Sequence, residues 1–333
     1  MTTHNSVKLV SSELANIWKL YQFETLNRCM LQHFLETVED RDIKNIIQIK
    51  LEAKEVRIQQ IASIFNKEEI PTPVGFTEKD VHLKVPRLFT DVFMAEYIYY
   101  MAIVGLESYA RAMSISPRAD VRHFFYEGMT FFGDIQNKIM DLLLQKGIFT
   151  RPPYIPYPTR VDFVKEQSFL TGWFGERRSL HCMQITHLFF NLRRNAIGKE
   201  LLIGFSQTAQ SEEVREYMVR GKEITNKLIH TFHSILVADD ITPPTFGGMV
   251  VTESKIAPFS DKLMLSLITF LDAFGMATYG LSLSESTRRD LFAQYTKIIA
   301  QIGAYGEDGI NLMIKYGYFE QPPKAPDRNK LSQ

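Results

Sequence analysis

Gly147-Ile148-Phe149-Thr150-Arg151-Pro152-Pro153-Tyr154-Ile155-Pro156 returns late in the chain as Gly317-Tyr318-Phe319-Glu320-Gln321-Pro322-Pro323-Lys324-Ala325-Pro326, a shift of 170 (317 − 147). The same shift carries Tyr109 to Tyr279, Arg118 to Arg288 and Asp120 to Asp290. Upstream the shift is 171: Phe34 maps to Phe205, Thr37 to Thr208, Glu52 to Glu223 and Ile70 to Ile241. Self-similarity over this distance means two copies of one fold, not a short-period solenoid. Chemistry used by both copies must then stand at matching positions in both. Core and turn residues recur in this way; a catalytic set does not.

A chain of 333 residues divides naturally into two domains of about 160 each. The boundaries read as 8–153 for copy one, 154–174 for a linker rich in proline and aromatics, and 175–327 for copy two. The 24 Phe and 14 Tyr supply large cores. Zero net charge argues against nucleic acid or an anionic membrane as partner and removes one barrier to self-association. A second copy or another protein is the partner expected. Only Cys29 and Cys182 are present, so there is neither a disulfide framework nor a CxxC metal site. The first residues lack the basic-then-apolar pattern of a signal peptide, and a cytoplasmic location is expected.

Hydrophobic spacing predicts four helices per copy. In copy one they run over Ser12–Thr37, Asp42–Asn66, Phe89–Met113 and Ala119–Lys146. In copy two they run over Arg177–Gln207, Glu212–Val237, Phe259–Ser282 and Glu285–Tyr316. Asp42 and Ser211 read as N-caps. Ser116-Pro117 opens the fourth helix, with Ser284 in a similar role in copy two. Gly147 reads as a C′ glycine. Val92–Leu106 and Leu263–Leu283 are apolar enough to raise membrane spanning. Glu96 in the first, and Ser266, Thr269 and Asp272 in the second, favour buried helices of a soluble bundle instead.

Loop lengths select the topology. Helices one and two, and three and four, are joined by a few residues and form antiparallel hairpins. Lys67–Leu88 and Ala238–Pro258 are much longer and proline-bearing. About 20 extended residues reach roughly 65 Å, more than the roughly 38 Å length of a 25-residue helix. Each can return the chain to the opposite end of its bundle. The fold expected is all-α: two tandem ferritin-like four-helix bundles, each with a long crossover between its second and third helices. The Pro-Pro-x-x-Pro element ends both copies and is expected to pack along its own bundle. Gly172-Trp173-Phe174-Gly175 reads as a linker turn.

This fold raises the question of metal. Its di-metal sites use a glutamate from each of two helices and a Glu-x-x-His from each of the other two. No Glu-x-x-His occurs here. Copy one offers Glu24, Glu52, Glu55, Glu96 and Glu127 as candidate ligands for iron or manganese. Copy two places Asn195, Ser266 and Lys297 opposite Glu24, Glu96 and Glu127, so a metal-binding oxidoreductase or storage role would use copy one alone. Glu24 and Arg28 are spaced as a helical ion pair. Glu96 is the one charge between Val92 and Leu106, and burial would demand a partner such as Arg28 or Lys54. His230 and His233 lie one turn apart but lack a third ligand in view. No catalytic residue is assigned, and no phosphate loop, nucleophile elbow or zinc motif is present.

The phrases Ile-Phe-Thr-Arg-Pro-Pro, Pro-Phe-Ser-Asp-Lys-Leu-Met (258–264), Arg-Arg-Asp-Leu (288–291) and Tyr-Gly-Tyr-Phe-Glu-Gln-Pro-Pro-Lys-Ala-Pro-Asp-Arg (316–328) resemble domain-of-unknown-function family 3231. The resemblance covers both copies. It implies tandem ferritin-like bundles and a setting in endospore-forming Gram-positive bacteria, in the forespore or spore. It implies no activity and no site residues. The function expected is a non-enzymatic structural or interaction protein; the alternative is a metal-binding oxidoreductase or storage protein using copy one only. A third idea is an apolar ligand held between the bundles.

Overall fold

The computed structural model describes residues 7–172 and 177–332; Trp173 to Gly175 of the expected linker turn lie outside them. The fold is all-α, two tandem four-helix bundles. Copy one contains α1 (Ser11–Thr37), α2 (Arg41–Lys67), α3 (Asp91–Ser114) and α4 (Ala119–Gln145). Copy two contains α5 (Cys182–Thr208), α6 (Glu212–Val237), α7 (Asp261–Ser284) and α8 (Arg289–Lys315). A one-turn helix, α9 (Arg328–Leu331), lies near the C-terminus. Hairpins α1–α2, α3–α4, α5–α6 and α7–α8 form the tightest pairs, and the long crossovers join them.

Several expected ends move. α5 begins at Cys182 rather than Arg177, because residues 178–180 lie outside any helix, docked on the end of copy two. Arg178 stacks on Phe169 at 4.0 Å and donates to Thr287 Oγ1 at 2.7 Å. Asp40, not Asp42, caps α2, accepting from the amides of Asp42 and Ile43. Ser211 holds the N-cap position of α6 but makes no capping bond. Ser284 closes α7 instead of opening α8; the counterpart of Ser116 is Ser286, and both hydroxyls donate to a carbonyl four residues back. Gly147 and Gly317 take φ of 68° and 67° past α4 and α8, the left-handed conformation that ends a helix without a Cβ penalty.

Two polar clamps fix the frame of each copy. The Asp91 carboxylate accepts from the amides of Glu39 and Asp40 at 3.2 and 2.7 Å, pinning the α1–α2 turn to the start of α3. Asp261 does the same for Gln210 and Ser211 at 3.0 and 2.8 Å. At the opposite end Arg118 bridges Asp120 and Glu68. Its counterpart Arg288 bridges Asp290 and Asp239.

The copies meet through a pseudo-two-fold. His82 N donates to Pro258 O at 2.8 Å, and the equivalent Thr252 N donates to Leu88 O at 2.9 Å. Thr90 N to Val250 O and Ser260 N to Asp80 O repeat the relation, both at 3.1 Å. The single bridges Val81–Phe259 and Phe89–Val251 are likewise equivalent. Reciprocal contacts of this kind are the signature of an isologous dimer interface, here built within one chain. The crossovers supply it, which is why they are ordered and long. The Pro-Pro elements join the exchange. Glu320 accepts from the amides of Val74 and Gly75 at 2.9 and 2.7 Å, while Thr150 donates to Thr245 O at 3.1 Å. Each element therefore docks on the other copy's crossover, not along its own bundle, because the dimer-like packing brings that crossover beneath it.

One continuous apolar cluster runs through copy one, across the interface and into copy two. A second fills the distal end of copy two. α2, α4, α6 and α8 present one apolar face, whereas α1, α3 and α5 are buried on several sides. By length and composition α7 alone among the described residues could cross a membrane; here it packs on α5 and α8.

Candidate functional site

The unusual chemistry of copy one lies on α2. Lys50, Lys54 and Arg57 follow Ile43 and Ile47 at three-to-four spacing, so the helix turns three cations into the bundle along its apolar stripe. Lys54 Nζ forms a buried ion pair with Glu24 Oε2, and Tyr109 OH donates to Glu24 Oε1 at 2.9 Å. Lys54 and Lys50 each lie 5.3 Å from the centre of the Phe132 ring. Arg57 sits 5.3 Å from the Tyr109 ring. Burial, then the neighbouring Lys54 charge, lowers the Lys50 ammonium to about 7. Burial and the Glu24 charge raise the Tyr109 phenol well above its ordinary range.

The five glutamates considered as metal ligands are not brought together. Glu24 is fully buried on α1 and engaged as above. Glu96 is buried on α3 at the copy interface. Glu52 is exposed on α2 beside Gln48, at 3.2 Å. Glu55 pairs with Arg28 at 3.6 Å, and Glu127 is exposed on α4 beside His123 at 3.3 Å. Among the described residues no group of three His, Cys, Asp or Glu side chains is placed to share an ion. Three cations crowd around the one central carboxylate, an arrangement that repels a divalent ion. His230 and His233 are exposed on α6. Cys29 is buried, its thiol pushed up to about 12 by burial, while Cys182 is exposed and both are free.

Two expected pairings change. Glu24 pairs with Lys54, 30 residues away across the α1–α2 hairpin, and not with Arg28. Glu96 pairs with neither Arg28 nor Lys54 but with Arg193 of α5, in copy two. Arg193 Nη2 and Nε reach the carboxylate at 2.6 and 3.0 Å. The guanidinium is stacked at 4.1 Å on Phe149 and 4.7 Å on Tyr99. Burial raises the Glu96 pKa and the Arg193 charge opposes that rise. The isologous seam that supplies this partner forms only where the copies dock, so one copy read alone does not show it. The three inward cations of α2 were legible in principle, since they continue the Ile43–Ile47 stripe.

The Glu96–Arg193 pair closes the α3–α5 seam. Its pseudo-two-fold mate is the α1–α7 seam, where Ser266 stands for Glu96, Gln22 for Arg193 and Thr269 for Tyr99. Smaller side chains leave that seam open. It holds a cavity of about 230 Å³, and a second of about 480 Å³ lies further along α1, against α3 and α7. In copy two, Asp272 borders a small cavity with Arg194 and Tyr100, and burial raises its carboxyl to about 8.

The family model "Protein of unknown function (DUF3231)" matches residues 1–161 and again 168–331. The chain therefore belongs to this family, in two tandem copies. No curated protein matches it. Among solved structures it is similar to a putative spore coat protein from Bacillus halodurans C-125, at 20% identity and a TM-score of 0.42, over 46% of this chain and 100% of that one.

Proposed function

We propose that the chain is a non-enzymatic structural or interaction protein, a fused pseudo-dimer of helical bundles, with sporulation as the setting its family resemblance implies. The observation that carries this reading is the division between what the copies share and what they do not. They share the aspartate and arginine clamps and the reciprocal crossover bonds. They do not share a polar constellation: the buried Glu24–Lys54 pair of copy one, with Lys50 beside it, is replaced in copy two by Asn195, Thr225 and Gly221.

The linker offers a surface for assembly. Tyr157, Val161 and Phe163 are 82%, 84% and 78% exposed within a few residues. Clustered exposed apolar side chains of this kind mark contact surfaces, and zero net charge leaves little to keep two chains apart. A second copy is the partner proposed. Sedimentation velocity of the pure protein should show self-association that weakens with Tyr157→Ser and Phe163→Ser, both leaving the unfolding midpoint unchanged. Elemental analysis of protein purified without a chelating tag tests the same reading from the other side. Near-stoichiometric iron, manganese or zinc that is lost with Glu24→Gln or Glu52→Ala would overturn it in favour of metal chemistry in copy one.

A further inference from the structure

The pseudo-two-fold supplies an internal control for the open seam. On the closed side a flat guanidinium is held against Phe149, with Phe246 a further 5.9 Å from its centre. On the open side the counterparts Phe319 and Phe76 are both kept. What is missing is the flat group itself: Gln22 is shorter than arginine, and Ser266 and Thr269 withdraw the opposite wall. We propose that the cavity between α1, α7 and α8 binds a planar aromatic compound of one or two rings carrying a hydrogen-bonding group.

Four observations fix that class. The site is part-open to solvent, and its volume of about 230 Å³ exceeds the roughly 150 Å³ of a closed apolar cavity that admits benzene. Half of the lining is aromatic or thioether, with Trp18, Phe23 and Met313 beside the two phenylalanines, which suits stacking and sulfur–ring contact. Gln22 Nε2 is shielded from solvent and has no hydrogen-bond partner among the described residues. Thr269 Oγ1 is bonded to Leu265 O at 3.0 Å and Ser266 Oγ faces the Met313 sulfur at 3.9 Å, so among the neutral groups the Gln22 amide is left to orient a ligand. A cation is disfavoured, because the balancing glutamate has become Ser266, Glu320 is spent on the amides of Val74 and Gly75, and Lys19 lines the cavity.

The site stands apart from the scaffold reading, and its test does not depend on assembly. Full-length protein is titrated with benzamide and, separately, with cyclohexanecarboxamide, each followed by ligand-observed NMR. The two share an amide and differ in the flat ring. Benzamide should bind with Kd of about 1 mM or tighter, and cyclohexanecarboxamide at least about tenfold more weakly. Gln22→Arg with Ser266→Glu rebuilds the closed seam on the open side and should abolish benzamide binding. Thr269→Tyr, which fills the cavity from one wall, should do the same. Equal binding of the two amides, binding that survives Thr269→Tyr in a folded protein, or no benzamide binding up to about 10 mM would each overturn the proposal.

Discussion

Where copy one has Glu24, Lys54 and Tyr109, copy two has Asn195, Thr225 and Tyr279. The tyrosine bonds the same α1 or α5 position in both copies: Tyr109 OH donates to Glu24 at 2.9 Å, and the Tyr279 hydroxyl accepts from Asn195 Nδ2 at 2.8 Å. Only the charge has gone. Beside them Lys50 becomes Gly221, and Ile46 and Ile135 become Tyr217 and Tyr305, stacked at 4.3 Å. A Cβ at position 221 would overlap the Tyr305 ring, so this glycine makes the room that the tyrosine occupies. Two unlike cores therefore fit one backbone frame. The frame depends on the clamps and the crossover exchange, and the interior chemistry differs between the copies within it.

The seams give the sharpest way to break that comparison. Arg193→Met leaves Glu96 buried without its counter-ion, and such a loss costs about 3–5 kcal/mol. At the mate position Gln22→Met removes no ion pair and should change stability by less than about 1 kcal/mol. Urea unfolding measures both. Equal costs would mean that the seams are energetically alike and that the closed one owes nothing to its ion pair. Glu96→Gln in the Arg193→Met background should recover part of the loss, since a neutral amide is cheaper to bury than a carboxylate.

The cores can be tested by transplantation. Glu24→Asn alone strands Lys54 beside Lys50 and Arg57, and should cost about 3 kcal/mol. Adding Lys54→Thr recreates the Asn195–Thr225 arrangement and should bring the total cost to about 1 kcal/mol. The residue of that cost is the space left by the lysine stem. If the double variant is no better than the single one, the charges of copy one are required together, for a reason beyond balance.

Much of the frame is legible in the sequence. Short and long loops set the hairpins and crossovers, and helical spacing set the helix limits to within a few residues. The departures have local causes. α5 starts late because Arg178 is pulled toward Phe169 and Thr287. Asp40 rather than Asp42 caps α2 because its carboxylate sits over the first free amides. The candidate site was less legible. A list of glutamates on four helices says nothing about height or facing, and the side chains of Glu52 and Glu127 turn out to solvent. Glu96 reads as needing a partner, and that partner lies 97 residues away in the other copy. The exchange of Pro-Pro elements was hidden for the same reason: one copy read alone cannot show what its mate covers.

Lys50 gives the finest test, because its effect should vary with pH in a known direction. The unfolded lysine holds its proton up to about 10.5, whereas burial lowers the folded group to about 7. Between those values the unfolded chain binds a proton that the folded chain does not, so stability contributed at this position rises with pH. Below pH about 7 the full penalty of the buried cation is present. Lys50→Met removes it, and should stabilise the protein at neutral pH by on the order of 2 kcal/mol. The advantage should shrink as pH is raised toward about 9.5. Gly221, its counterpart, has no ionisable group, so copy two adds no matching slope at that position. Denaturant midpoints of wild type and Lys50→Met across this range measure the difference. A constant gap between the two curves would show that Lys50 stays charged in the folded core, balanced by Glu24 more fully than its geometry indicates.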